Sequence, residues 1–116
     1  MRFKLEQSDK RGEVYSFRLQ DDPLQELMIF FTKKGYLRGG HSHNVLEYRV
    51  ILKGEVIFIH KYPKEDIRFE LKEGNMIVCP PNIPHLLESK ADNWIMEWWE
   101  PNKETITDEE LRSKVK

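Results

Sequence analysis

Apolar and polar residues alternate with a period of two through most of this chain, in runs of only six to nine residues. In "EVYSFRLQ", Val14, Ser16 and Arg18 fall on one face, and Tyr15, Phe17 and Leu19 fall on the other. "DIRFELKEG" sets Ile67, Phe69 and Leu71 against Asp66, Arg68 and Glu70, and stops at Gly74. A two-residue period places successive side chains on opposite faces of a strand and is incompatible with a helix. "LQELMIFFT" follows the turn signal "DDP". "EYRVIL" and "EVIFIHKY" are split by "KG", a hairpin turn in which Gly54 supplies the positive φ. "NMIVC" ends in a proline-rich turn, and "NWIMEWWE" precedes Pro101. Seven or eight short strands at such close spacing predict an all-β sandwich or barrel. Only the tail reads as helical. In "TDEELRSKVK", Thr107 is the expected N-cap, with acids in the first turn and bases in the last, as the helix dipole favours.

With 116 residues and no linker, repeat or low-complexity tract, the chain is expected to be a single domain over 1–116. Nineteen basic and 20 acidic residues leave a net charge of −1, without the basic excess that nucleic-acid or membrane partners demand. Cys79 is the one cysteine, which excludes an internal disulfide and a thiolate metal cluster. The opening "MRFKLEQSDKRGE" has no apolar signal region, and the longest apolar run, "LMIFF", is too short to cross a bilayer. A soluble cytoplasmic protein is expected.

Chemistry enters with "RGGHSHNVLEYRVILKGE". His41 and His43 are two residues apart, so a strand points both imidazoles the same way. Glu47 follows at a distance that can return its carboxylate to that face, and His85 closes the turn "PPNIPH". Three imidazoles and one carboxylate suit a borderline divalent metal: zinc, iron(II), manganese or nickel. The metal ligands expected from the sequence are therefore His41, His43, Glu47 and His85.

This arrangement resembles the cupin superfamily. Its first motif is Gly, five residues, His-x-His, three or four residues, Glu, six residues, Gly; Gly35, His41, His43, Glu47 and Gly54 match every position. Its second motif is met by Gly74, Pro80 and His85, with Asn82 in place of a glycine and Ser89 in place of an asparagine. Asn tolerates the left-handed region that the glycine would occupy. The resemblance spans residues 35 to 89. It implies a double-stranded β-helix, or jelly roll, holding a metal inside, and a homodimer formed through the flanking strands; the short C-terminal helix read from the tail adds to that barrel.

Arg38 and Glu97 are the candidate catalytic residues. A guanidinium at a barrel mouth can clamp a phosphate or carboxylate, although Arg38 also reads as a surface strand-end residue. Glu97 serves as a general base if it points inward. Arg49 shares strand parity with Glu47; an inward unpaired charge is costly, so facing inward it must meet a partner such as a barrel glutamate or an anionic ligand, and twist or a bulge is expected instead to turn it outward. Tyr48 is expected to pack on the opposite face, His60 to be exposed and without function, and Cys79 to be a buried filler. Trp94, Trp98 and Trp99 read as core or dimer-seam aromatics.

Fold does not fix chemistry. The leading expectation is a metal-dependent isomerase or epimerase acting on a carbonyl sugar or nucleotide-sugar. Cupins of polysaccharide and deoxysugar biosynthesis are similar in Asp9, Arg11, Gly12, Arg38 and Gly39. Two alternatives stand beside it: a mononuclear non-haem iron dioxygenase, and a non-enzymatic module that binds a small metabolite.

Overall fold

The computed structural model describes residues 2–18 and 26–115. The "DDP" turn signal, Leu19 and Leu24 lie outside the described residues. Eleven strands precede one short helix: β1 (Arg2–Asp9), β2 (Gly12–Arg18), β3 (Glu26–Thr32), β4 (Leu37–His43), β5 (Glu47–Lys53), β6 (Glu55–Lys61), β7 (Asp66–Lys72), β8 (Met76–Cys79), β9 (His85–Ser89), β10 (Asn93–Trp99), β11 (Thr105–Thr107) and α1 (Glu109–Arg112). Strands β1, β4, β9 and β11 go beyond the runs that alternation marks. Among them, β4 and β9 carry the histidines, and β4 also carries Gly39 and Gly40, so neither shows a clean apolar period.

Pairing is nested. β6 pairs with β7, β5 with β8, β4 with β9 and β3 with β10, all antiparallel, as one long hairpin wound onto itself. Successive pairs fall in alternate sheets. One sheet has the order β1-β2-β3-β10-β5-β8 and the other β11-β4-β9-β6-β7, joined internally by β5–β10 and β6–β9 pairing. This is the jelly roll expected from the sequence.

The interior has an apolar end, where Ile51, Val56, Phe58, Ile77, Leu87 and Ile95 form one cluster, with Phe69 and Leu71 packed against it. A second cluster, Ile57, Ile59, Leu86 and Leu111, lies on the outer face of the smaller sheet, where α1 covers it. The helix starts one residue later than expected. Thr107 ends β11, and Asp108 is the cap, accepting from the Leu111 amide at 3.0 Å. Leu111 is the buried anchor of this short helix. Gly40 makes the seat possible, because a Cβ there would lie 2.7 Å from the Arg112 Cα.

Among the described residues, the outer face of the six-stranded sheet leaves large apolar side chains exposed. Tyr48 stacks on Trp98, Phe31 packs tilted against Trp94, and Met76 and Val78 extend the surface along β8. On β2 the apolar Tyr15 and Phe17 point outward, against Phe3 of β1, while Val14 is the buried residue.

Candidate metal centre

Two local devices bring the histidines together. A bulge between Gly39 and His41, with Gly39 at φ 109° and Gly40 at φ 85°, shifts the β4–β9 register so that His41 faces His85. A Cβ on Gly39 would lie 2.8 Å from the His85 carbonyl oxygen, so glycine is what lets β9 approach. Asn82 adopts φ 64°, the left-handed conformation its replacement of glycine requires, and its amide donates to the His43 carbonyl at 2.6 Å. That bond ties the turn bearing His85 to the end of β4.

The ligating atoms of His43, Glu47 and His85 lie within 4.8 Å of one another, and all three residues are buried. His43 Nε2 is 3.1 Å from Glu47 Oε1, and His85 Nε2 is 3.8 Å from the same oxygen. His43 Nδ1 meets Thr105 Oγ1 at 3.0 Å, a contact that fixes the ring and leaves Nε2 facing the cluster. His41 does not join these three. Its ring centroid is 6.4 Å from that of His43, although both line one cavity of about 300 Å³.

Glu47 is 0 % exposed. Burial alone would raise its carboxyl, but the His43 contact and the Arg49 charge outweigh it and hold the group at about 2. Glu47 Oε2 has no hydrogen-bond partner among the described residues. Burial and the Arg49 charge push His85 well below the usual histidine range, and burial with Arg112 lowers His41. These imidazoles are neutral and able to ligate at physiological pH. Two imidazole nitrogens and an ionised carboxylate fit a divalent transition ion; among the described residues, Oε2 of that carboxylate accepts no hydrogen bond and has only the Lys103 ammonium near it, at 3.6 Å.

Arg49 is where the structure corrects the sequence reading. It points inward and is 6 % exposed. Nε donates to Glu97 Oε2 at 2.7 Å, one NH2 group contacts Glu47 Oε1 at 3.3 Å and His85 Nε2 at 3.2 Å, and NH1 donates to Cys79 Sγ. Burial disfavours the charge, yet Glu97, Cys79 and Glu47 together keep it firmly protonated. The guanidinium therefore contacts the same His85 nitrogen that would be offered to a metal. Register explains the orientation, because Arg49 sits opposite Glu97 across β5–β10.

Glu97 and Arg38 both line the cavity. Arg38 is 7 % exposed, donating to Thr32 Oγ1 at 2.6 Å and to the Phe31 carbonyl at 3.2 Å, so it is not a surface residue. His60, expected to be exposed, is buried at 2 %, edge-on to Phe69. It sits on the inner face of β6, which lies between β9 and β7. Cys79 is a buried free thiol. Lys103, Thr105 and Arg112 also line the cavity and went unremarked in the sequence. They come from a tail whose return over β4 no local pattern announces.

The family profile described as Cupin matches residues 6–107. Vicilin from Corylus avellana (hazelnut) is similar in structure at a TM-score of 0.76 and 14 % identity over 90 % of this chain and 34 % of that one. The capsular polysaccharide assembling protein CapF from Staphylococcus aureus gives 0.73 and 18 % over 89 % and 34 %. Oxalate decarboxylase from Bacillus subtilis gives 0.72 and 16 % over 85 % and 28 %. The chain thus spans roughly a third of the length of these solved chains. No curated protein matches the sequence.

Proposed function

The chain belongs to the cupin family, and from that premise we propose that it is a metal-dependent enzyme acting on a small carbonyl compound of the sugar type, by isomerisation or epimerisation. The gathering of His43, Glu47 and His85 within 4.8 Å, at the wall of a cavity lined by His41, Arg38 and Glu97, carries this reading. The residues that would hold the ion are His43, Glu47 and His85, with His41 lining the same cavity as the fourth candidate ligand. A bound ion supplies Lewis-acid polarisation of a carbonyl oxygen. Glu97 does the proton work. Its Oε2 is held by Arg49, which leaves Oε1 to take the proton α to the carbonyl and return it. Arg38 orients the substrate from the opposite wall. That a capsular polysaccharide assembling protein has this fold is compatible with a sugar substrate. The Bacillus subtilis oxalate decarboxylase has Mn(II) centres, which favours manganese among the four candidate ions.

The test is α-proton exchange. With a keto-sugar panel in D2O, the metal-loaded protein should wash deuterium into the substrate. Glu97→Gln should slow this by about 100-fold or more while keeping its metal. Unchanged exchange in Glu97→Gln removes Glu97 from the role.

One observation favours a second reading. Two histidines and one carboxylate, with His41 held apart, form the donor set of non-haem iron(II) oxygenases. Native iron content with substrate-dependent oxygen uptake would select it over proton transfer.

A second copy of the chain covers the apolar outer face of the six-stranded sheet, where Trp94 and Met76 stand more exposed than a soluble surface favours. Trp94→Glu should convert a dimer to a monomer in light scattering. A wild-type monomer contradicts this pairing. A lone buried thiol fits a cytoplasmic setting.

A further inference from the structure

The charges around the cavity do not balance, and the imbalance is local. Five cationic side chains line it, Arg11, Arg38, Arg49, Lys103 and Arg112, against one lining carboxylate, Glu97. Three of the five are matched. Arg11 holds Asp9 at 2.8 Å, Arg49 holds Glu97 and Glu47, and Lys103 lies 3.6 Å from Glu47 Oε2. Arg38 and Arg112 have no carboxylate partner among the described residues. Arg38 donates hydrogen bonds only to neutral oxygens, those of Thr32 and Phe31, while the Asp9 and Glu13 carboxylates act on it from beyond ion-pair distance. Arg112 donates to the Gly39 carbonyl at 3.0 Å, one residue from Arg38. Burial and the neighbouring Arg11 charge lower Arg38 to about 10, which still leaves it charged at neutral pH. A buried arginine with no carboxylate in contact is costly unless a ligand supplies one.

The tail is built to hold Arg112 there. Leu111 anchors α1 in the cluster formed by Ile57, Ile59 and Leu86, and the Arg112 backbone rests against Gly40, where no side chain would fit. The short helix thereby brings a guanidinium to the rim of a cavity that β4 lines with Arg38 and His41.

We infer that Arg38 and Arg112 form an oxyanion subsite at the cavity rim, which takes the carboxylate or phosphate group of a compact substrate whose oxygen faces the histidine–glutamate cluster. The cavity, at about 300 Å³, is at the small end for ligand sites and suits a phosphorylated or carboxylated metabolite held whole. Arginine's planar fork matches either anion. This inference deepens the substrate class of the proposed enzyme. It rests on that reading only for what the anion is attached to.

The experiment separates the two. Chelator-treated protein is titrated calorimetrically with inorganic phosphate and with malonate at constant ionic strength, and the titration is repeated after metal loading. Saturable one-site binding of either anion is expected without metal. Arg38→Met and Arg112→Met should each weaken it at least 10-fold, while the exposed control Lys72→Met leaves it unchanged. Arg112→Met protects the test if Arg38→Met misfolds, since Arg112 is half-buried at the rim, and circular dichroism reports folding in both. Tighter phosphate binding assigns a phosphorylated ligand, and tighter malonate binding a carboxylated one. Non-saturable association, or affinity that neither arginine variant lowers, overturns the subsite. Anion binding that persists in protein unable to hold metal keeps the subsite and removes the metal enzyme.

Discussion

The two ends of the barrel interior are built by the same strands and held by different physics. β5 carries Glu47 and Arg49 toward one end and Ile51 toward the other. β9 does the same with His85 and Leu87, and β10 with Glu97 and Ile95. The apolar end is stabilised by area removed from water and by close packing, which degrade gradually when an atom is lost. The polar end is a network of charges in a dry place, in which Arg49 is shared by Glu97, Glu47 and Cys79. Such a network is stable only while complete. Stability therefore comes from one end, and chemistry from the other.

The sharpest way to break this contrast is to substitute neighbours on β5. Arg49→Met leaves Glu47 and Glu97 buried without their shared cation, and it should cost about 3–5 kcal/mol in denaturant unfolding. A loss under about 1 kcal/mol would mean that water reaches the pair. His60 gives a second, pH-dependent view. Burial and then the Arg49 charge lower it to about 4, below the ordinary value of 6.5. The unfolded chain therefore binds this proton over a range in which the folded chain does not. The stability contributed is complete above pH 6.5 and is lost as pH falls through 4, by up to about 3 kcal/mol. His60→Phe, which retains the edge contact with Phe69, should flatten that acid limb, leaving the part due to His85 and His41. An unchanged slope would show His60 to be solvated.

Ile51→Val, two residues from Arg49, should cost only about 1 kcal/mol and leave metal content untouched. A metal deficit in that variant would show that the two ends are coupled. The mildest change is Thr105→Val. Thr105 is on the exposed strand β11, so stability should move by less than about 1 kcal/mol. Losing the bond to His43 Nδ1 should nonetheless weaken metal binding by about 10–100-fold in a competition assay with a chelating dye. No change in affinity would mean that the bulge alone orients His43.

Different parts of this molecule were legible to different degrees. Alternation revealed seven strands because Val, Ile and Phe repeat at period two in them. It missed β4 and β9, where His, Gly and Ser replace that pattern, although their histidines stood out by spacing. Arg49 and Glu97 each share a face with an apolar neighbour, Ile51 and Ile95, so an inward orientation was readable in principle. Their meeting was not, because it depends on the register of two strands 48 residues apart in sequence. His60 looked like a strand end, yet β6 lies between β9 and β7, which buries it. Arg112 and Thr105 were out of reach for the same reason. Their roles come from where the tail returns, and only tertiary structure records that.

The most direct test of the central claim is metal stoichiometry by elemental analysis, comparing protein purified from its own source with His43→Ala, His85→Ala and His41→Ala. The account predicts about one transition ion per chain in the native protein, near-complete loss in the His43 and His85 variants with the fold intact by circular dichroism, and a smaller loss for His41. Full metal retention in His43→Ala, or a folded native protein that binds no transition ion even when supplied in excess, would contradict it.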